Sequence, residues 1–156
     1  MANLIISIIS IALVVILAGA MVFFGGDVYK SNKLDAEVAK YLNESSQVQS
    51  ALTLYKSHGN AITADFQMQE LVTDGYLKKV PEGWDKRVGV IGVEIDSGRV
   101  GESMAQNICL KANEGMGFEF DPIEDSVMAS IDDPAKGIPH CDKSDLSDTV
   151  PCCVVP

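Results

Sequence analysis

The chain begins MANLIISIISIALVVILAGAMVFFGGD, and from Leu4 to Phe24 it carries 21 residues with no charge and only Ser7 and Ser10 as polar side chains. About 20 apolar residues in a helix cross a hydrocarbon core of about 30 Å, so this run is long enough to span a bilayer. A secretory signal has a basic start, an apolar core of about 7–15 residues and a small-residue cleavage site. Here no Lys or Arg precedes the run, and a cut after Ala20 at AGA would leave Met21 to Phe24 as an apolar new end. Residues 1–26 therefore read as a retained hydrophobic segment that anchors in a membrane or packs against copies of itself.

Residues 27–156 leave room for one small domain. A formal net charge of -10 with 12 Lys+Arg argues against a nucleic-acid partner, because phosphate binding needs a basic patch to displace counterions. The four cysteines, Cys109, Cys141, Cys152 and Cys153, lack the paired CxxC spacing of a zinc site and read as a disulfide framework. Disulfides place this part in an oxidising compartment. Lys30 and Lys33, just after the apolar run, favour the opposite orientation by the positive-inside rule. A short basic leader removed from before Met1 would reconcile the two.

Beyond Asp27, apolar residues recur at helical steps through Val28, Leu34, Val38, Tyr41, Leu42, Val48, Ala51, Leu52 and Tyr55, with no Pro before Ser57 and a Gly in SHGN as a stop. This predicts an amphipathic helix over 27–58, either continuous with the apolar run or separated from it by a break at Gly25 and Gly26, since each Gly costs a helix about 1 kcal/mol. ADFQMQELVTDGYL predicts a short helix ending near Asp74 and Gly75, and KKVPEGW a turn. RVGVIGVEIDSGRVG, rich in Val and Ile, predicts a hairpin around DSG. ESMAQNICLKANEGMG predicts another short helix. From Asp121 onward, acidic residues with Pro122, Pro134, Pro139 and Pro151 predict loops, loosely ordered unless stapled.

The reactive inventory is small. His58 lies at a helix stop and His140 beside Cys141; a nucleophilic Cys–His pair is outweighed by a disulfide-bonded cysteine next to an exposed imidazole. GMGF does not extend to GxGxxG or a P-loop, and HExxH and GxSxG are absent. No catalytic, cofactor-binding or metal-binding set is expected. The acidic groups Asp121, Glu124 and Asp125, then Asp132 and Asp133, then Asp142, Asp145 and Asp148 match no EF-hand and read as a solvated surface rather than a calcium site. The sequon at Asn43 falls in a helical pattern and is discounted.

Four cysteines allow three pairings. Cys109 on a short helix and Cys141 in the tail suggest one staple, with Cys152 or Cys153 as alternative partners of Cys109. A vicinal bond between Cys152 and Cys153 would be strained, because adjacent Cα atoms are only about 3.8 Å apart.

In the order of its parts the whole chain resembles the type IV pilins. The residues that carry the resemblance are the uncharged start through Phe24, the helix end SSQVQSALTLYKSHGN, the connection LVTDGYLKKVPEGW, and Cys109 with a C-terminal cysteine; the helix-borne first cysteine and the Met start look more like type IVb. Two departures stand out: Ile5 occupies the position where the family carries Glu, and no carboxylate precedes Asp27. The resemblance implies an α+β fold, with a long N-terminal helix, a small antiparallel β-sheet head and a disulfide-stapled C-terminal loop region over 59–156. It implies a filament core built from Leu4, Ile5, Ile8, Ile9, Leu13, Val14, Leu17, Met21 and Phe24. It also implies a homo-oligomeric helical filament, residence in the inner membrane before assembly with the head exported, and an assembly ATPase, a platform protein and a leader peptidase as partners. A pseudopilin or minor pilin, or a monomeric membrane-anchored binding module, are the alternatives.

Overall fold

The computed structural model describes residues 2–87, 90–95 and 97–154. It is an α+β structure with elements in the order α1 (Ala2–Ser57), α2 (Met68–Thr73), β1 (Trp84–Arg87), β2 (Val90–Val93), α3 (Ser97–Val100), α4 (Glu102–Gly115), β3 (Val127–Ala129), β4 (Gly137–Pro139) and β5 (Thr149–Cys152). The chain divides into two compact units, Met1–Asp35 and Ala36–Pro156.

Helix α1 passes through Gly25 and Gly26 without a break, the continuous one of the two expected forms. Two glycines cost about 2 kcal/mol of helix propensity. Ending one helix and nucleating another costs more, about 4 kcal/mol for a nucleation constant near 10⁻³, so continuity is the cheaper course.

In the second unit, Val38, Tyr41, Ser45, Val48, Leu52 and Tyr55 are buried along α1. Their alternating steps of three and four put them on one face. The helix stops where Gly59 takes φ 87° and its N–H donates to the Lys56 carbonyl at 2.9 Å. Helix α2 ends similarly: Gly75 has φ 79°, and the Tyr76 N–H reaches back to the Leu71 carbonyl at 2.8 Å. Such left-handed stops favour glycine, which has no Cβ to clash. The Tyr55 ring meets Phe66 and Tyr76 at centroid distances of 5.4 and 5.6 Å, closing the core between α1 and α2.

Strands β1 and β2 pair antiparallel from Trp84↔Val93 to Arg87↔Val90. The antiparallel partner of β2 is therefore the strand before it, not one beyond DSG; residues 88–89 lie outside the described residues. Of that tripeptide, Asp96 lies outside the described residues, and Ser97 and Gly98 open α3. The reason is burial: Val90 to Val93 is covered on both faces, so the apolar run shows no alternation to mark its ends. Strand β5 then joins the other edge of β2 in parallel, with Ile91 opposite Thr149 and Val93 opposite Cys152.

The tail is more regular than its prolines predict. It supplies β5 and an antiparallel pair, β3 with β4, in the register Val127↔Pro139 to Ala129↔Gly137. Pro151 is tolerated because β5 is an edge strand. Leu71, Ile91, Ile108, Ile138, Val48 and Val150 are fully buried, each contributing about 1.5–3 kcal/mol of apolar burial.

Candidate functional site: an exposed apolar helix and a doubly stapled strand

In the first unit, apolar side chains stand open all around α1. Exposure runs from 55% at Ile9 to 83% at Phe23, and an 18-residue window reaches a mean hydropathy of 2.9 with none of it buried. The helix is thus long and apolar enough to cross a membrane. Of the nine expected core positions, Ile5, Ile8, Ile9, Leu13, Val14, Leu17 and Met21 are exposed; the side chains of Leu4 and Phe24 lie outside the described residues. Ile6, Ile11, Val15 and Ile16 are equally open, so the seven described positions do not form a distinct stripe. A helix apolar on every side belongs in lipid or in the interior of an assembly.

The cysteines form two bonds, Cys109–Cys152 and Cys141–Cys153, with Cα separations of 5.7 and 5.1 Å. This corrects the expected Cys109–Cys141 staple and gives Cys109 the alternative partner Cys152. The reason lies in β5, a strand the proline-rich tail conceals. Successive residues of an extended chain point to opposite sides, so Cys152 turns toward α4 and Cys153 toward Cys141. On the α4 side, the buried Asn113 amide donates to the Cys152 carbonyl at 3.1 Å and accepts from the Cys152 N–H at 3.2 Å. On the other side, the Cys141 N–H donates to the Val154 carbonyl at 2.8 Å, and the Val154 N–H to the Pro139 carbonyl at 2.9 Å. Both faces of the strand are fastened.

His140 stands beside a bonded cysteine, and all four sulfurs are in disulfides. It is partly buried, not openly exposed, and its Nδ1 has no hydrogen-bond partner among the described residues. His58 Nδ1 lies 3.0 Å from the Tyr76 hydroxyl.

Several of the acidic groups have partners at the surface. Lys143 pairs with Glu124 and with Asp145 at 3.2 Å, Lys136 with Glu114, and Lys56 with Asp148. Asp132 accepts from the Ser103 hydroxyl and, at 2.5 Å, from the Asn107 amide; these two donors hold its carboxyl below the usual range. The Glu124 and Glu114 carboxylates push the Lys143 and Lys136 ammonium groups upward. Among the described residues no group of three His, Cys, Asp or Glu side chains is placed to hold a metal ion.

A cleft of about 250 Å³ runs beside the Cys109–Cys152 bond, between Ile95, Ala105, Met128, Ile138 and Val154. A wider hollow of about 520 Å³ is lined by Phe118, Phe120, Glu114 and Lys136. Neither lining contains an imidazole or a free thiol.

Comparison of the chain with protein-family models, with curated proteins and with solved structures gives no match.

Proposed function

We propose that this chain is the structural subunit of an extracellular filament of the type IV pilus kind. Its N-terminal helix holds the subunit in the membrane first and then packs against the same helix of other copies. The observation that carries this reading is the apolar circumference of α1 from Ile5 to Phe23, left exposed in a chain whose remaining residues complete a core of their own. Apolar area removed from water is worth about 25 cal/mol per Å², so such a surface needs a cover.

Lipid and a bundle of identical helices are both apolar. Passage from one to the other gains no hydrophobic free energy and depends on packing contacts. Assembly then requires shape complementarity and external work, a role for an assembly ATPase and a platform protein, after a leader peptidase has released the chain. The head faces solvent, and its acidic surface of net charge -10 keeps neighbouring filaments apart.

Immunogold electron microscopy of material sheared from expressing cells tests the reading. Filaments decorated by antibody to the head support it. Abundant membrane-bound protein with no filaments overturns it in favour of a monomeric anchored module, a second reading favoured by Ile5, which leaves the N-terminal region without the carboxylate that pilins carry there.

A further inference from the structure

Cys152 and Cys153 are neighbours in sequence, and each must find a different partner. For a reduced chain the choice between Cys109–Cys152 with Cys141–Cys153 and the swapped pairing, Cys109–Cys153 with Cys141–Cys152, is close: both close loops that differ by a single residue, and loop entropy changes little over one residue. Something other than distance along the chain must select the native isomer.

We infer that Asn113 is the positioning residue that selects the disulfide pairing. Asn113 lies one helical turn beyond Cys109 on α4, is only 2% exposed, and holds its Nδ2 at 3.9 Å from the Cys109 sulfur. Its amide also makes two hydrogen bonds with the main chain of Cys152, one given and one received. An amide side chain offers a donor and an acceptor side by side, the same pattern that a neighbouring strand presents to a residue in a sheet. Asn113 thus acts as a one-residue strand partner that accepts Cys152 in a single orientation, with its Cβ toward Cys109.

The alternation of the extended chain does the rest. With Cys152 held facing α4, Cys153 faces away, where the Val154 main chain is already paired on both sides of His140, and its sulfur meets Cys141. In the swapped isomer the Cys152 N–H and carbonyl would leave Asn113, and a fully buried amide would lose both partners, which costs more than the bonds themselves contribute. Each disulfide forms when two thiols give up two protons and two electrons to a small-molecule disulfide such as oxidised glutathione, which leaves as two thiols. Asn113 takes no part in that exchange; it sets which sulfurs meet.

The full chain, reduced and denatured, is reoxidised in detergent micelles with a glutathione redox mixture. Electron-transfer mass spectrometry, which opens S–S bonds and reads sequence between Cys152 and Cys153, counts the isomers. The native isomer should exceed the swapped one by about tenfold or more, the factor that two buried hydrogen bonds provide, and Asn113→Leu should bring the ratio to within about threefold. Gln106→Leu is the control: Gln106 is also buried on α4 and accepts from the Ile131 N–H at 2.8 Å, but does not touch Cys152. It should leave the ratio unchanged.

Asn113→Leu with the native ratio overturns the inference, as does an equal loss of selectivity in Gln106→Leu. Should Asn113→Leu fail to fold, two-cysteine chains decide. With only Cys109 and Cys152, the bond should form at an effective concentration about tenfold above that with only Cys109 and Cys153; equal values overturn the inference.

Discussion

The indole N–H of Trp84 donates to Glu44 Oε2 at 2.9 Å across 40 residues of sequence, fastening the first strand of the sheet to α1. Trp84 is buried, so the bond joins an apolar anchor to a carboxylate in a partly dry setting. Trp84→Phe keeps most of the ring burial and loses the bond; it should cost about 1.5–3 kcal/mol. Trp84→Ala removes the anchor and should cost about 3–5 kcal/mol. Urea titration followed by circular dichroism measures both, and a Trp84→Phe head as stable as the parent would show that the bond contributes nothing.

Gly92 sits in the middle of β2, where a Cβ would come within 2.8 Å of the Val150 carbonyl oxygen on β5. That neighbour is backbone and cannot step aside cheaply, so Gly92→Ala should destabilise the head by about 1–3 kcal/mol. Gly26 is the contrasting case, a helical glycine with nothing within 4 Å. Gly26→Ala should raise the helicity of α1 and stabilise it by up to about 1 kcal/mol. Thermal melts in detergent separate the two; a neutral Gly92→Ala would mean that β5 does not press on β2 in solution.

The long helix was legible because its cues are local: an uninterrupted apolar run, then the steps from Val38 to Tyr55, then Gly59. The glycine stop of α2 was legible for the same reason. The tail was not. Strands β3, β4 and β5 are three or four residues long, and Pro139 and Pro151 lie inside two of them. Thr149 pairs with Ile91, far back in the sequence, a contact that no local pattern announces. Because the disulfide pairing depends on β5, it could not be read before that strand was placed. Asn113, an ordinary polar residue within a helical stretch, gave no sequence signal for its contact with Cys152. The apolar segment declared its own exposure but not what covers it.

Asp132 makes stability depend on pH. Its carboxylate, held by Ser103 and Asn107, ionises more readily in the folded state than in the unfolded chain. A depressed folded value stabilises above the unfolded carboxylate range, and that contribution is lost as pH falls through the folded value. Asp132→Asn should therefore be less stable than the parent at neutral pH, and the gap should close on acidification below the ordinary carboxylate range. Paired melts across that range check the sign; a gap that widens in acid would contradict it.

The two disulfides should contribute unequally. Cys109–Cys152 spans 43 residues and Cys141–Cys153 spans 12; chain entropy assigns them about 4 and about 3 kcal/mol. Removal of the first pair as Cys109→Ala with Cys152→Ala should lower the denaturation midpoint more than removal of the second. The opposite order would show that the contacts around Cys141, and not loop closure, dominate.

The exposed helix bears on the proposed assembly most directly through one substitution within it. Ile9 is 55% exposed on α1. An Asp there would have to bury an unpaired charge between packed helices, at a cost of several kcal/mol per subunit, while the head would be untouched. The decisive measurement is the quantity of filament, counted by electron microscopy of sheared cells, for Ile9→Asp beside the parent, with Trp84 fluorescence to certify a folded head and fractionation to certify membrane retention. Filaments of the parent and none of the variant, both folded and membrane-bound, are the expected result; equal filaments from both would contradict helix-against-helix assembly.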